Sequence, residues 1–121
     1  MTLKPQANKA PVLAPAPPTW GVLADSGEPA TVIRFESADG AYSYPYHALT
    51  RWVLQVGEPQ TLVIEAGADR VIVRGRELEV VRDALDAGRL RVLRIAEERY
   101  FLTEAGVVVA ELNVEPSKSE E

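Results

Sequence analysis

The sequence predicts a small α+β domain: a mainly antiparallel sheet of six to eight strands built from hairpins, with one amphipathic helix packed on a sheet face. Three observations predict this class. Two hairpin patterns lie between residues 32 and 74, the apolar periodicity then changes from about two to about 3.6 residues over 76–87, and strand patterns return from residue 90. The connections are short, which favours antiparallel pairing.

Length and composition fit one domain between two tails. The chain has 121 residues, 46% of them hydrophobic and 26% charged, as in average soluble proteins. Residues 1–19 contain five prolines among alanines, so we expect a disordered Ala/Pro-rich tail there. The domain should then span residues 20–115, and residues 116–121 should form a solvated acidic tail.

The first hairpin pattern is centred on Asp39-Gly40. An Asp-Gly pair is typical of a type I′ turn, which places Phe35 opposite Tyr44. Tyr42, Tyr44 and Tyr46 recur at every second position and share one face of the returning strand.

Residues 48–56 are ambiguous. Their apolar spacing fits an amphipathic helix, whereas their residue types and the turn pattern at 57–60 favour a strand. We favour a strand from about 51 to 56.

The second hairpin pattern pairs residues 61–65 with residues 70–74. A four-residue loop places Glu65 opposite Arg70, and Val63 opposite Ile72. The other face is entirely apolar and is expected to form core; it consists of Leu62, Ile64, Val71 and Val73.

Residues 76–87 predict the helix. Leu78, Val81 and Leu85 lie on its apolar half, and Gly88 is expected to end it in a left-handed conformation. Strands follow at 90–95, at 100–102 and from 107 to about 114. Because the last strand has few charges and ends the meander, we expect it at a sheet edge covered by a second subunit, although a long return of the chain would instead place it in the middle of the sheet.

Composition disfavours several classes of function. The net charge of −5 opposes nucleic-acid binding. The chain has no Cys and one His, His47, and no nucleotide-binding motif, so no metal site, cofactor or catalytic residue is predicted. No stretch approaches the roughly 20 apolar residues of a membrane span, and we expect a cytoplasmic protein without membrane contact.

Two surfaces are candidate sites. The first is an interaction surface that combines the tyrosine stripe with the last strand, namely Tyr42, Tyr44, Tyr46, Val107 and Val109; these tyrosines would equally suit the rim of a core. The second is an anion patch within residues 70–99, a segment that contains eight arginines and six acidic residues. Its members would be Arg70, Arg74, Arg89 and Arg91, although such arginines also suit a solvated sheet face.

The sequence therefore predicts a small non-enzymatic binding or protein-interaction module that forms a homodimer or binds a protein partner. One alternative is a weak RNA- or phosphate-binding domain that uses the arginines of 70–99, which a steep salt dependence of binding would reveal. Another is an enzyme with an unfamiliar carboxylate site.

Overall fold

The computed structural model of the protein describes residues 20–25, 27–96 and 106–117. Over these ranges the chain forms eight strands and one α-helix. The strands are β1 (Gly21–Leu23), β2 (Val32–Ser37), β3 (Gly40–Pro45), β4 (Leu49–Gln55), β5 (Gln60–Ala66), β6 (Asp69–Arg76), β7 (Leu90–Arg94) and β8 (Val108–Pro116), and the helix is α1 (Glu79–Asp86). The predicted α+β class is confirmed. The tail at 1–19, the strand at 100–102 and residues 118–121 lie outside the described residues.

The strands are divided between two four-stranded sheets. The first sheet has the order β1-β7-β2-β3 and the second has the order β4-β5-β6-β8. The pairs are antiparallel except for β2 with β7, which run parallel. Both sheets contribute to one core, in which Phe35 of the first sheet and Ile64 and Leu112 of the second are buried together.

The register of the first hairpin differs from the prediction. Ile33 lies opposite Tyr44 and Phe35 lies opposite Tyr42, so Ala38 and Asp39 are the turn residues. The Ser37 hydroxyl stabilises this turn by donating to Oδ1 of Asp39 at 2.6 Å. Because the register moves by an even number of residues, the same side chains stay on the inner face.

The second hairpin confirms the predicted pairing. Glu65 lies opposite Arg70 and Val63 lies opposite Ile72, while an additional Ala66–Asp69 pair shortens the loop to two residues. The predicted core face is fully buried; it comprises Leu62, Ile64, Val71 and Val73. The ambiguous residues before this hairpin form a short 3₁₀ helix, Tyr46–Ala48, followed by strand β4, as favoured.

The helix is amphipathic as predicted, with Val81 and Leu85 buried, and it packs against β4 of the second sheet and β7 of the first. It begins later than predicted, because β6 continues through Gly75 and Arg76 to pair with Val109 and Val108 of β8. Arg76, the first residue of the predicted helix, therefore belongs to a strand.

The structure shows why glycine is required at two positions. A Cβ atom on Gly75 would clash with the carbonyl oxygen of Val108, so the close approach of β8 excludes any larger residue. Gly88 adopts a φ of 70° directly after the helix, as predicted.

The last strand lies at an edge of the second sheet, where it pairs with β6. At its start, the amide of Ala96 donates to the carbonyl oxygen of Val109 at 3.0 Å, which ties this end to the chain leaving β7. Within the described ranges, no helix is long and apolar enough to cross a membrane.

Candidate interaction surface

The tyrosine stripe points toward the interior. Tyr44 and Tyr46 pack against the core, and the ring centroid of Tyr44 lies 5.9 Å from that of Phe35. The Tyr44 hydroxyl donates to Oδ2 of Asp69 at 2.8 Å, which joins the first sheet to the second. The Tyr46 hydroxyl donates to the carbonyl oxygen of Leu90 at 2.7 Å. Both hydroxyls are thus occupied within the chain.

Burial keeps these phenols protonated. It raises the pKa of Tyr46 to about 12, and it also raises the pKa of Tyr44, with the hydrogen bond to Asp69 as a second cause. Tyr42 lies nearer the solvent, where the charge of the Asp39 carboxylate raises its pKa. The stripe therefore acts as a structural rim between the sheets, and Tyr42 is its most accessible member.

The valines predicted to extend this surface are largely covered. Val109 is 0% exposed and Val107 is half-buried against the core. Because the Val109 side chain packs in the core, a charge at this position would disrupt folding as well as any contact at the edge.

The four arginines predicted to form an anion patch belong to different sheets. Arg70 and Arg74 lie on β6 of the second sheet, whereas Arg89 precedes β7 of the first sheet and Arg91 lies within it. Arg89 donates through Nε and Nη2 to the carbonyl oxygen of Ala24, at 3.1 and 2.8 Å. Its guanidinium therefore anchors the segment after β1.

The other arginines differ in their partners. Arg70 contacts Oε2 of Glu65 at 3.2 Å, and Arg74 contacts Oε1 of Glu111 at 3.1 Å. Arg91 is exposed and has no ion pair with the described residues. The arrangement does not bring the four guanidinium groups to one place.

The outer face of the second sheet is a surface that the sequence did not single out. Alternate residues of β4, β5, β6 and β8 point away from the core and align in three rows across the strands. The apolar row is Val53, Val63 and Ile72, with Asn113 at its end; the charged row is Arg51, Glu65, Arg70 and Glu115; the third row is Gln55, Thr61, Arg74 and Glu111. These rows define the outer face below.

The apolar row is half-buried although it lies outside the core. Val53, Val63 and Ile72 do not belong to the core cluster or to the hydrophobic residues packed against it. They line a depression of about 430 Å³ together with Arg51 and Arg70. Long charged side chains at the margins cover part of such apolar surface while their charged ends stay in water. The outer face thus has an apolar centre and a charged margin.

The charged row alternates in sign across all four strands. Its two central members, Glu65 and Arg70, form an ion pair with side chains that are about one-third exposed. Its end members, Arg51 and Glu115, are exposed and form no ion pair among the described residues. The row therefore presents one free cation at one side of the sheet and one free carboxylate at the other.

The first sheet neutralises its outward charges differently. Glu36 accepts from Arg94 and from Arg34, each at 3.0 Å, and these bonds, with that from Arg94 the larger cause, hold the pKa of Glu36 below its usual range. The three charges form one compact cluster on neighbouring strands.

Among the residues described, no group of three or more His, Asp or Glu side chains is placed to hold a metal ion. A groove of about 580 Å³ lies where α1 begins and includes Gln60 and Glu79. Both ends of the Gln60 side-chain amide form hydrogen bonds there. Its Oε1 accepts from the backbone amide of Leu78 at 2.7 Å, and its Nε2 donates to Oε1 of Glu79 at 3.2 Å. These two bonds tie β5 to the start of α1.

Comparisons with protein-family models, with curated proteins and with solved structures gave no match to this chain. The function is therefore argued from the geometry of the molecule.

Proposed function

We propose that this protein is a non-enzymatic protein-interaction module and that the outer face of the second sheet is its contact surface. A cytoplasmic location belongs to the same proposal. The observation that carries it is the apolar row, which is partly accessible on the outer face of a sheet whose inner face already supplies the core.

The composition of the outer face supports a protein partner. Interfaces between proteins have an apolar centre surrounded by polar and charged groups. Here the centre is Val53, Val63 and Ile72, and charged residues border it on both sides. β-Branched side chains on a regular sheet are also stiff, so little side-chain entropy is lost when a partner covers them.

The electrostatics support contact with protein more than contact with phosphate. Two of the three arginines in these rows, Arg70 and Arg74, already contact carboxylates of the same face. A polyanion would have to compete with these carboxylates and with the net charge of −5. A protein surface with both signs of charge can satisfy them together.

The proposal can be tested by photo-crosslinking in cells that express the full chain. A benzophenone amino acid replaces Gln55, which is exposed at the margin of the outer face, and in a matched variant it replaces Ser43, which is exposed on the first sheet. We expect protein adducts from position 55, identified by mass spectrometry, and few from position 43. Equal labelling from both positions, or none from position 55, would contradict the proposal.

A further inference from the structure

We infer that the partner of the outer face is a second copy of this chain, docked face to face about a two-fold axis that runs parallel to the strands between β5 and β6. This inference rests on the proposed function and names its partner. It follows from the order of charges across the sheet.

The charged row reads positive, negative, positive, negative from β4 to β8, because Arg51, Glu65, Arg70 and Glu115 lie side by side. A two-fold axis parallel to the strands reverses this order in the second copy. Arg51 then faces Glu115 of the other copy, and Glu65 faces Arg70. Each charge in the row meets its opposite, and each of these contacts occurs twice.

The apolar row fits the same axis. Val63 of one copy faces Ile72 of the other, so the four central side chains pack against one another at the middle of the interface. Two sheets packed face to face lie about 10 Å apart with nearly aligned strands, which β-branched side chains can fill. The interface would thus have an apolar centre with the paired charges of the charged row along one side. Along the other side, Gln55 would face Glu111 and Thr61 would face Arg74.

The other symmetric arrangement is unfavourable. A two-fold axis across the strands would superpose the charged row on the third row. Arg70 would face Arg74 of the second copy, and Glu115 would face Glu111. Like charges in register oppose association, so the sequence of the outer face selects one of the two axes.

The size of the face predicts a weak dimer. Four strands about 4.8 Å apart, each contributing three outward residues, cover roughly 20 by 20 Å on each copy. The area of this patch lies below the roughly 800 Å² that each partner buries in a stable interface. We therefore expect a dissociation constant between about 10 and 500 μM.

Charge reversal at the two ends of the row tests the inference. Arg51 and Glu115 lie on strands at opposite edges of the sheet, about 14 Å apart, and that distance exceeds the screening length of about 8 Å at physiological salt. Arg51→Glu alone, or Glu115→Arg alone, creates two like-charge contacts in the dimer and should raise its dissociation constant about tenfold. Combining the two changes should restore dimerisation, either within one chain or by mixing the two single variants.

Sedimentation velocity of the full chain up to about 1 mM measures these constants. Arg91→Glu, the same reversal at an exposed site on the first sheet, serves as the control and should leave the constant unchanged. Thermal melts measure the effect of each reversal on the fold itself, which should be modest although each change puts a like charge opposite Glu65 or Arg70 on the neighbouring strand. Restoration by the combined changes supports the inference, because the two sites can meet only between copies.

Three results would overturn it: a chain that stays monomeric throughout, a dimer indifferent to the single reversals, or single reversals that do not compensate each other. The crosslinking experiment separates this failure from failure of the proposed function. If position 55 labels a different protein and no second copy, the outer face remains an interaction surface while the self-association is wrong. If position 55 labels nothing, both are wrong.

Discussion

The tyrosine stripe and the outer face of the second sheet are built alike, but their polar groups differ in whether they find partners within the chain. Each aligns alternate residues on neighbouring strands, and each combines apolar bodies with polar groups. In the stripe, the hydroxyls of Tyr44 and Tyr46 end on Asp69 and on the carbonyl of Leu90. On the outer face, the charged row ends in groups without ion-pair partners in the described chain.

Under the proposed function, this difference separates a surface that serves folding from one that serves association. A polar group satisfied inside the chain contributes to the stability of the fold, whereas one left at a margin is available to a partner. We therefore expect substitutions in the stripe to change the free energy of unfolding, and substitutions on the outer face to change dimerisation.

The largest effect on stability should come from Tyr46→Ala. This change removes a half-buried ring that packs against the core together with its hydrogen bond to Leu90. We expect the free energy of unfolding, measured by urea denaturation, to fall by about 2–4 kcal/mol. A loss below about 1 kcal/mol would show that the stripe does not support the fold.

Tyr44→Phe should have a smaller effect because it removes a single hydrogen bond between the sheets. The expected cost is about 1 kcal/mol, since Asp69 loses its donor. Tyr42→Phe is the matched control: its hydroxyl lies 3.3 Å from Asp39 in an exposed setting, and we expect its removal to cost under about 0.5 kcal/mol. Equal costs for the two changes would remove the distinction between them.

The dependence of stability on alkaline pH tests the burial of the Tyr46 hydroxyl. Because folding raises the pKa of Tyr46 from 10.0 to about 12, the folded state holds this proton more tightly than the unfolded state does. The resulting stabilisation is complete below pH 10 and is lost as the pH rises toward 12. Urea denaturation should therefore show stability declining over this range, and Tyr46→Phe should make the decline shallower. An unchanged slope in Tyr46→Phe would mean that other groups cause it.

A small effect on stability is also expected on the outer face. Val63→Thr keeps a β-branched residue of similar size in β5 and should cost no more than about 1 kcal/mol in the unfolding free energy of the monomer. The same change puts a hydroxyl at the centre of the proposed interface and should weaken the dimer several-fold. Urea denaturation of dilute protein and sedimentation of concentrated protein measure the two effects separately. A large loss of stability without a change in association would assign Val63 to the fold.

Local patterns were sufficient to predict the second hairpin and the presence of the helix, because their partners are close in sequence. They also predicted the first hairpin, but with a register that was wrong by two residues. The pairing of Glu65 with Arg70 and the burial of Leu85 follow from such patterns. The division into two sheets and the start of α1 could not be predicted this way. The first depends on β7 pairing with β1 and β2, and the second depends on β8 pairing with β6 through Gly75; these are contacts between distant segments.

The outer face illustrates the same limit. The predicted hairpin already placed Val63 beside Ile72 and Glu65 beside Arg70, which is the middle of the face. Its ends, Arg51 and Glu115, join it only when β4 and β8 dock on either side. The tyrosines attracted attention because aromatic residues are common at interfaces, yet the sequence did not show whether their hydroxyls would be bonded within the chain.

The most direct test of the division between the two surfaces is a dilution series of ¹H–¹⁵N spectra of the full chain, from about 1 mM to about 20 μM. Self-association through the outer face predicts amide shifts that change with concentration in the middle of β5 and β6, around Val63 and Ile72, and stay constant in β3. Spectra that do not change with concentration, or changes centred on β3 and its tyrosines, would contradict the account.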